Sequence, residues 1–591
     1  GFRASVVNST QLYRFRVMLS YASGQLDNGW SYGFTLSTRQ GGNGYVDGVY
    51  YNAYGYFFSA EKAFNNKHRL SATIMAAPTQ RGAQQASTQE AYDLWGDNYY
   101  NPNVGMQDGK LRNSRVRNMH EPIAMLNYNW QISERTSLSA ATSLRFGYNG
   151  YSALTWWKGE DPRPDYYRNM PSFLFDGQID KDGYFIGKDM NGKPLGAITD
   201  GGYIKYPLDY NGIPVGHSIN LDTYAKLTEL WTSRDDDATQ INWDALYAAN
   251  YANNNNNPAG SARYIVERRH NDIQEGMINL NYRNTSVEHL TITAGLEAKG
   301  SQGVHYKTID DLLGGKQWID VDPFAERDIK ELATNIGLTQ ADIANVKQND
   351  LRNPNATIKE NGRFGYDYRI NMVNAKIWAQ NEWNWNHIDL YYALQFSYSS
   401  MQRTTDMLNG RAWYLAKLGE QYNHHYYYLA NEADNVLAST ISNNLSILPS
   451  RLAGYAHHFI DPAFKIGATY KIDGRNQLKI NALAETRAPL ARDAYISPRV
   501  HDRAVETIYH HDYARYYAQQ NGTSWLKEYY GASQKIVGGD LTYNFNYPLV
   551  RGRVTGFFTQ FWNGTELNGY YDDEARTFVN QSLTGISRGH M

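Results

Sequence analysis

The sequence predicts an all-β protein, an antiparallel transmembrane β-barrel with long, partly folded loops on one side, and three observations predict it. Connections alternate between tight turns and long polar insertions from one end of the 591 residues to the other. The segments between them alternate in polarity with period two over roughly ten residues, the length that crosses a bilayer at a tilt. Aromatic residues gather toward the segment ends, where rings with one polar edge suit a lipid headgroup layer.

The tight turns are read at Ala22 to Gly29, Asn65 to Lys67, Ser133 to Arg135, Asn284 to Ser286, Asn384 to Asn386, Asp473 to Arg475 and Tyr547 to Leu549. The long insertions run over Gln40 to Val49, Pro78 to Asn118, Tyr148 to Asn271, Ser301 to Asn361, Met401 to Asp461 and Ala488 to Ala532. Connections that long are foreign to a compact soluble domain. Short turns at one end and elaborated loops at the other are the layout of an outer-membrane barrel.

Strands follow from the alternation. Trp30, Tyr32, Phe34 and Leu36 oppose Ser31, Gly33, Thr35 and Ser37; Leu290, Ile292, Ala294 and Leu296 oppose Thr291, Thr293, Gly295 and Glu297. Ile388, Leu390, Tyr392, Leu394, Phe396 and Tyr398 oppose Asp389, Tyr391, Ala393, Gln395, Ser397 and Ser399, and Phe464 to Ile472 behaves likewise. Further strands are expected at Tyr13 to Tyr21, Tyr50 to Ala63, Arg69 to Ala77, His120 to Ile132, Thr136 to Gly147, Asp272 to Arg283, Gly362 to Trp383, Gln477 to Arg487, Gln534 to Asn546 and Val550 to Trp562, with another near Thr577. That gives about 14 or 15 strands. The competing fold is a soluble sandwich whose apolar row faces a core, and its long connections should leave from both ends.

Composition narrows the function. Near-neutral charge, -2 overall, disfavours a nucleic-acid partner held by a basic field. No run of about 18 apolar residues marks a membrane helix. A mean hydropathy of -0.63 is compatible with a barrel, because each strand shows lipid only every second residue. The absence of Cys removes disulfides and thiolate metal sites. Gly1-Phe2-Arg3 has no signal-peptide character and the chain stops at His590-Met591 where a turn would lead onward, so residues 1–591 read as part of a longer exported protein.

The row opposite the apolar one carries Lys465, Lys471, Lys479, Arg551, Arg553 and Asp540, which suits a wet or protein-filled lumen. Loop aromatics at Trp156, Trp157, Tyr166, Tyr167, Tyr426, Tyr427 and Tyr428 are candidate ligand-binding residues; mutual packing of the loops is the alternative. The middle of the largest insertion is expected to be partly helical around Ile241 to Tyr247, ahead of the polar run Asn253 to Asn257. A short helix is expected where Thr339 precedes Asp342, Ile343 and Val346. The acid groups Asp235-Asp236-Asp237, Asp310-Asp311, Asp320 and Asp322 match no calcium loop, and the pairs His424-His425, His457-His458 and His510-His511 match no metal helix, so no metal is assigned. No catalytic motif, and no cofactor, is read.

From Asn98-Tyr99-Tyr100-Asn101-Pro102-Asn103 and Asn113-Ser114-Arg115-Val116 onward, the chain resembles TonB-dependent outer-membrane receptors of the Bacteroides type. The likeness continues through Asp161-Pro162-Arg163-Pro164-Asp165-Tyr166-Tyr167, Asp310-Asp311-Leu312-Leu313-Gly314-Gly315, Thr486-Arg487-Ala488-Pro489, Ala494-Tyr495-Ile496-Ser497-Pro498-Arg499 and Arg576-Thr577-Phe578-Val579-Asn580. The resemblance implies a barrel of about 22 strands filled by an N-terminal plug, of which this chain holds the barrel portion without the plug and the last strands. It implies a non-enzymatic transporter in the bacterial outer membrane, surrounded by lipid, that captures a siderophore, cobalamin, glycan or peptide and imports it through the TonB complex acting on the plug. A surface lipoprotein is a further candidate partner, and Arg551 and Arg553 would contact the plug. The rivals are a passive porin or secretion pore, and a surface carbohydrate-active β-protein.

Overall fold

The computed structural model describes residues 1–10, 13–172, 177–179, 185–187, 204–206, 221–322, 340–407, 410, 452–491, 533–572 and 577–590. Its main body is one antiparallel up-and-down sheet of the barrel class. The sheet begins with β1 (Phe2–Asn8), β2 (Phe15–Ala22), β3 (Trp30–Gly41), β4 (Tyr51–Ala63), β5 (His68–Ala76) and β6 (Thr79–Gly82). A small hairpin, β7 (Val104–Gln107) with β8 (Lys110–Asn113), precedes β9 (Val116–His120), β10 (Ile123–Ser133) and β11 (Thr136–Trp156). A separate three-stranded sheet holds β12 (Gly177–Ile179), β13 (Phe185–Gly187) and β14 (Ile204–Tyr206). The wall resumes with β15 (Tyr264–Asn284) and β16 (Leu290–Asp311), and a two-stranded ribbon joins β17 (Trp318–Ile319) to β18 (Thr357–Ile358). It ends with β19 (Arg363–Asn384), β20 (Ile388–Thr405), β21 (Leu452–Lys471), β22 (Asn476–Arg487), β23 (Gln534–Asn546), β24 (Arg551–Asp572) and β25 (Thr577–His590).

Two interruptions lie side by side. Pro78 separates β5 from β6 and Pro122 separates β9 from β10, while β5 pairs with β10 and β6 with β9. Proline cannot donate to a ladder. Its carbonyl still accepts, from Tyr54 at 2.9 Å for Pro78 and from Phe146 at 3.3 Å for Pro122, so the wall passes the break without opening. Counting each broken pair of segments as one strand, the described wall has about 16 crossings, close to the number expected from alternation.

The two faces differ in a way that separates a membrane barrel from a sandwich. On one face the registered ladder Leu280, Leu296, Ile377, Phe396 runs across four neighbouring strands, with 36%, 42%, 58% and 56% of each residue exposed. One residue over, the other face carries Asn279, Glu297, Lys376, Ser397 and Asp461 in register, with Lys376 Nζ 3.1 Å from Glu297. A water-soluble sheet buries the first kind of row and wets the second. Here the apolar row is the open one, and no second sheet covers it among the described residues.

Local chemistry fixes the short-turn end. Asn65 Oδ1 accepts from the Lys67 and His68 amides at 2.8 and 3.0 Å, Asp473 Oδ1 from Arg475 and Asn476 at 2.7 and 2.8 Å, and Asn284 Oδ1 from Ser286 at 2.9 Å. Each side chain imitates a turn carbonyl and stops the strand. Trp30, Trp130, Trp385 and Tyr547 stand exposed beside these turns, and Lys62 reaches over the Trp30 ring at 5.4 Å to donate to the Asn28 carbonyl.

Glycines on the polar face make room for aromatic side chains from neighbouring strands. A Cβ on Gly467 would collide with the Tyr391 ring and stand 2.5 Å from Asn481 Oδ1, and one on Gly295 would stand 2.5 Å from Trp378 Nε1. The gap at Gly467 lets the Tyr391 hydroxyl donate to Asn481 at 3.1 Å, whose amide in turn donates to Asp540 at 2.9 and 3.0 Å. Gly467→Ala is therefore expected to cost about 1–3 kcal/mol through overpacking. Gly300→Ala is the control, since nothing lies within 4 Å of its added Cβ. Comparing the two unfolding midpoints in detergent checks this; equal midpoints would refute the arrangement.

Candidate functional site

The strands run further toward the long loops than alternation shows: β11 reaches Trp156, β15 begins at Tyr264, and β16 continues to Asp311. On these extensions charged and aromatic residues are interleaved with buried Ile265, Val266 and Ile309, and loop elements pack against both faces. Four helices belong to this end, α1 (Gln89–Trp95), α2 (Leu221–Thr232), α3 (Asp236–Thr239) and α4 (Trp243–Asn256), with a further helix over Gln340–Val346 where one was expected. Thr339, its expected cap, lies outside the described residues.

Helix α4 continues through the asparagine run, because its asparagines are structural ties. Fully buried Asn250 donates to the carbonyls of Tyr264, Leu312 and Leu313 at 2.8, 3.0 and 3.0 Å and accepts from the Arg263 and Tyr264 amides. One side chain thereby satisfies five backbone groups and holds α4 to the ends of β15 and β16. Asn253 and Asn254 donate to Ser261 and Gly314. The Asn101 amide donates to the Asp47 and Ala83 carbonyls, and that of Asn113 to Gly48 and Ala83, joining three loops.

The acid groups are engaged in the same way. Asp235 caps α3 by accepting from the Asp237 amide at 3.0 Å. Asp311 pairs with Arg112 at 2.7 Å, Asp310 with Arg268, and buried Asp320 accepts from Asn349 and from the Gly365 amide, burial holding its carboxyl above the ordinary range. His457 is buried and His458 stacks on Tyr398, at adjacent positions of β21. His424, His425, His510 and His511 lie outside the described residues, as do all of residues 492–532.

The candidate aromatics separate. Trp156 packs against the cluster of Ile241, Trp243, Leu246, Tyr264, Val266 and Leu313, and Trp157 against that of Ile265, Ile309, Leu312, Trp318 and Phe364. Tyr166 and Tyr167 make an edge contact at 4.7 Å, with Tyr167 45% exposed and Arg168 over its ring. Tyr426, Tyr427 and Tyr428 lie outside the described residues. On the polar face, Lys471 pairs with Asp389 at 2.6 Å and Asp540 with Asn481, and Arg551 and Arg553 share that face with Asp540 through their registered partners Asn546 and Asn544. Lys465 and Lys479 are exposed and have no ion pair among the described residues.

Strand register assembles a constellation that the sequence does not announce. Tyr51, Arg81, Arg117, Tyr151, Arg269, Lys307 and Phe364 stand opposite one another in turn across β4, β6, β9, β11, β15, β16 and β19, on the polar face at the long-loop end. Four cations therefore share one row, with the Arg269 guanidinium 5.8 Å from the Tyr151 ring and Lys307 4.7 Å from the Phe364 ring. Glu267 is their fully buried acid, 2.5 Å from Arg269 and 2.9 Å from Lys307. Burial alone would raise its pKa, but Arg269 and Lys307 outweigh it and bring the carboxyl down to about 2. One acid against four bases leaves the row cationic, and a partly desolvated cationic row attracts anions.

No protein-family profile matches the chain, and no curated protein matches it. Solved structures do. The ferric citrate transporter FecA in its unliganded form is 7% identical over 100% of this chain and 55% of that one, with a TM-score of 0.46. The copper transporter OprC is 7% identical over 99% and 57%, with a TM-score of 0.49. The ferric-catecholate import receptor Fiu from E. coli K12, in its closed form, is 10% identical over 99% and 61%, with a TM-score of 0.44. The chain thus spans between 55% and 61% of the length of these structures.

Two outcomes are expected of the loop end. Asn250→Ala leaves three buried carbonyls unanswered and should cost about 3 kcal/mol, read as faster limited proteolysis near α4. The depressed Glu267 carboxyl sets an acid limit: unfolded chain takes the proton near 4.5, so its stabilisation is complete above that pH and is lost as pH falls toward about 2. Hydrogen exchange of β15 against pH reads this, and a Glu267→Gln protein should lack that acid step.

Proposed function

We propose that the chain forms the wall of a bacterial outer-membrane receptor that captures an anionic ligand at its loop-bearing end and admits it by TonB-coupled transport. The observation that carries the membrane reading is the exposed apolar ladder backed by a polar face. Open apolar strips of that extent are stable where lipid covers them. The β1 and β25 edges are unpaired among the described residues, and a spanning sheet requires each to be paired, with the other or with further wall. The plug is part of this proposal, with Arg551, Arg553, Lys465, Lys471, Lys479 and Asp540 on the face that would meet it. Non-enzymatic action accords with a cationic row that offers charge and aromatic surface rather than paired acid and base.

The ligand class follows from Arg81, Arg117, Arg269 and Lys307: an anionic chelate fits a row with one internal counter-charge. Tyr166 and Tyr167, open at the loop end, are proposed to contribute contact surface.

The test is uptake by cells carrying the full-length gene, with a panel of anionic ferric chelates, ferric citrate among them. Energised uptake that stops when the proton gradient is collapsed is expected, and Arg81→Gln with Arg117→Gln should weaken it about tenfold. Uptake indifferent to the gradient, together with swelling of liposomes containing the protein, would establish the passive pore instead. A protein that stays in solution without detergent would end the membrane reading itself.

A further inference from the structure

The cations of the polar face extend beyond the row already described. On the first strands Arg16 and Arg39 stand directly opposite each other, β2 against β3, as Arg81 and Arg117 do on β6 and β9. The ladder Arg39, Ala53, Thr79 runs across β3, β4 and β6, and Thr79 lies two residues before Arg81, so both pairs belong to one face. They are two strand spacings apart, about 10 Å across the sheet.

Like charges directly opposite on paired strands repel. The wall does not relieve these two pairs: none of the four guanidiniums has an ion pair among the described residues, Arg117 donates Nε to the Asn149 amide oxygen at 3.1 Å, and Arg39 lies 6.0 Å from the Tyr13 ring. The next bases along the row are treated differently. Arg269 and Lys307, also registered neighbours, share the buried carboxylate of Glu267. The chain thus supplies one pair of bases with an acid from within and leaves two pairs open, which points to counter-charge brought from outside. A carboxylate has one charge and two oxygens, enough for one guanidinium fork. A phosphate carries close to two charges and three acceptor oxygens, which matches two facing forks.

We propose that the two arginine pairs are phosphate subsites, one on Arg81 and Arg117 and one on Arg16 and Arg39, and that together they take a small molecule with two phosphates about 10 Å apart. This rests on the reading of the cationic row as the ligand-binding surface, and it names the anionic groups held there. The polar face is turned away from the apolar ladder, so a phosphate reaches it from solution and not from the head of a surrounding lipid. Holding both ends at once raises affinity over a single phosphate, because the second contact forms at high effective concentration.

The experiment is calorimetry on the full-length receptor in low-salt detergent, titrated with inorganic phosphate, with a hexanediol carrying a phosphate at each end, and with citrate. Two inorganic phosphates are expected per chain, and the bisphosphate is expected to bind once, at least about tenfold more tightly than phosphate or citrate. Arg81→Gln with Arg117→Gln should remove one phosphate, Arg16→Gln with Arg39→Gln the other, and either change should reduce the bisphosphate to the affinity of phosphate. Because each change relieves repulsion, neither should lower the unfolding midpoint, whereas a purely structural role for the arginines would lower it. Lys67→Gln at the short-turn end should leave every titration intact. Absence of phosphate binding, citrate bound as tightly as the bisphosphate, phosphate binding that survives both double substitutions, or a single phosphate lost to either one overturns the proposal. Two phosphates bound by a protein that takes up no ferric chelate would keep this inference and remove the chelate reading; chelate uptake without phosphate binding would do the reverse.

Discussion

Satisfaction of the backbone is the constraint on which everything else in this molecule rests. Each strand of the wall gives its backbone polar groups to its two neighbours, and on the side proposed to face lipid no water could take their place. A continuous meander from β1 to β25 does this with connections of two to seven residues at one end. The two prolines show how firmly the rule applies: where Pro78 and Pro122 remove donors, they do so on adjacent strands at one level, and both carbonyls remain engaged.

Register then decides chemistry. A residue and its chain neighbour face opposite ways, so the same four strands carry the Leu280–Phe396 ladder on one side and the Asn279–Ser397 row on the other. Beyond the apolar band the same rule places Arg117 among cations on one side and Asn118 opposite Gln80 on the other. The loop end is held by apolar clusters around Trp243, Phe364 and Trp231 together with buried polar groups: Asn250, Asn101 and Asn113 stitch carbonyls, and Glu267 is enclosed by two bases. Such groups are worth little until complete and costly when incomplete, which explains why so many loop asparagines are buried.

Alternation at Ile388 to Ser399 and the Asn or Asp that opens each short turn were legible because each is a local signal. Strand β1 escaped, although Phe2, Ala4 and Val6 alternate, because so short a run at a chain end carries little contrast. The strand extensions at Tyr264–Asn271 and Ser301–Asp311 escaped for a physical reason: loop elements cover both faces there, burying the chain neighbours Ile265 and Val266 on opposite sides, so the period-two hydropathy contrast vanishes while the ladder continues. Helix α4 overrides the weak helix propensity of asparagine through tertiary bonds. The cationic row could not be seen at all, since Arg81, Arg117, Arg269 and Lys307 are brought together only by register. Trp156 and Trp157, candidate ligand-binding residues by sequence, pack against loop-end clusters and show how aromatic density there also serves packing.

The close fit of Tyr391 over Gly467, and of Trp378 over Gly295, carries a consequence for descent. Neither member of such a couple can drift alone: a methyl gained at the small partner evicts the ring, and a lost ring leaves a hole above the small partner. Each couple should therefore pass through lineages as a unit, even where nearly every other position has been rewritten. Searching distant chains for a glycine and an aromatic that change together on adjacent strands offers a way to trace this ancestry when overall identity has faded to background.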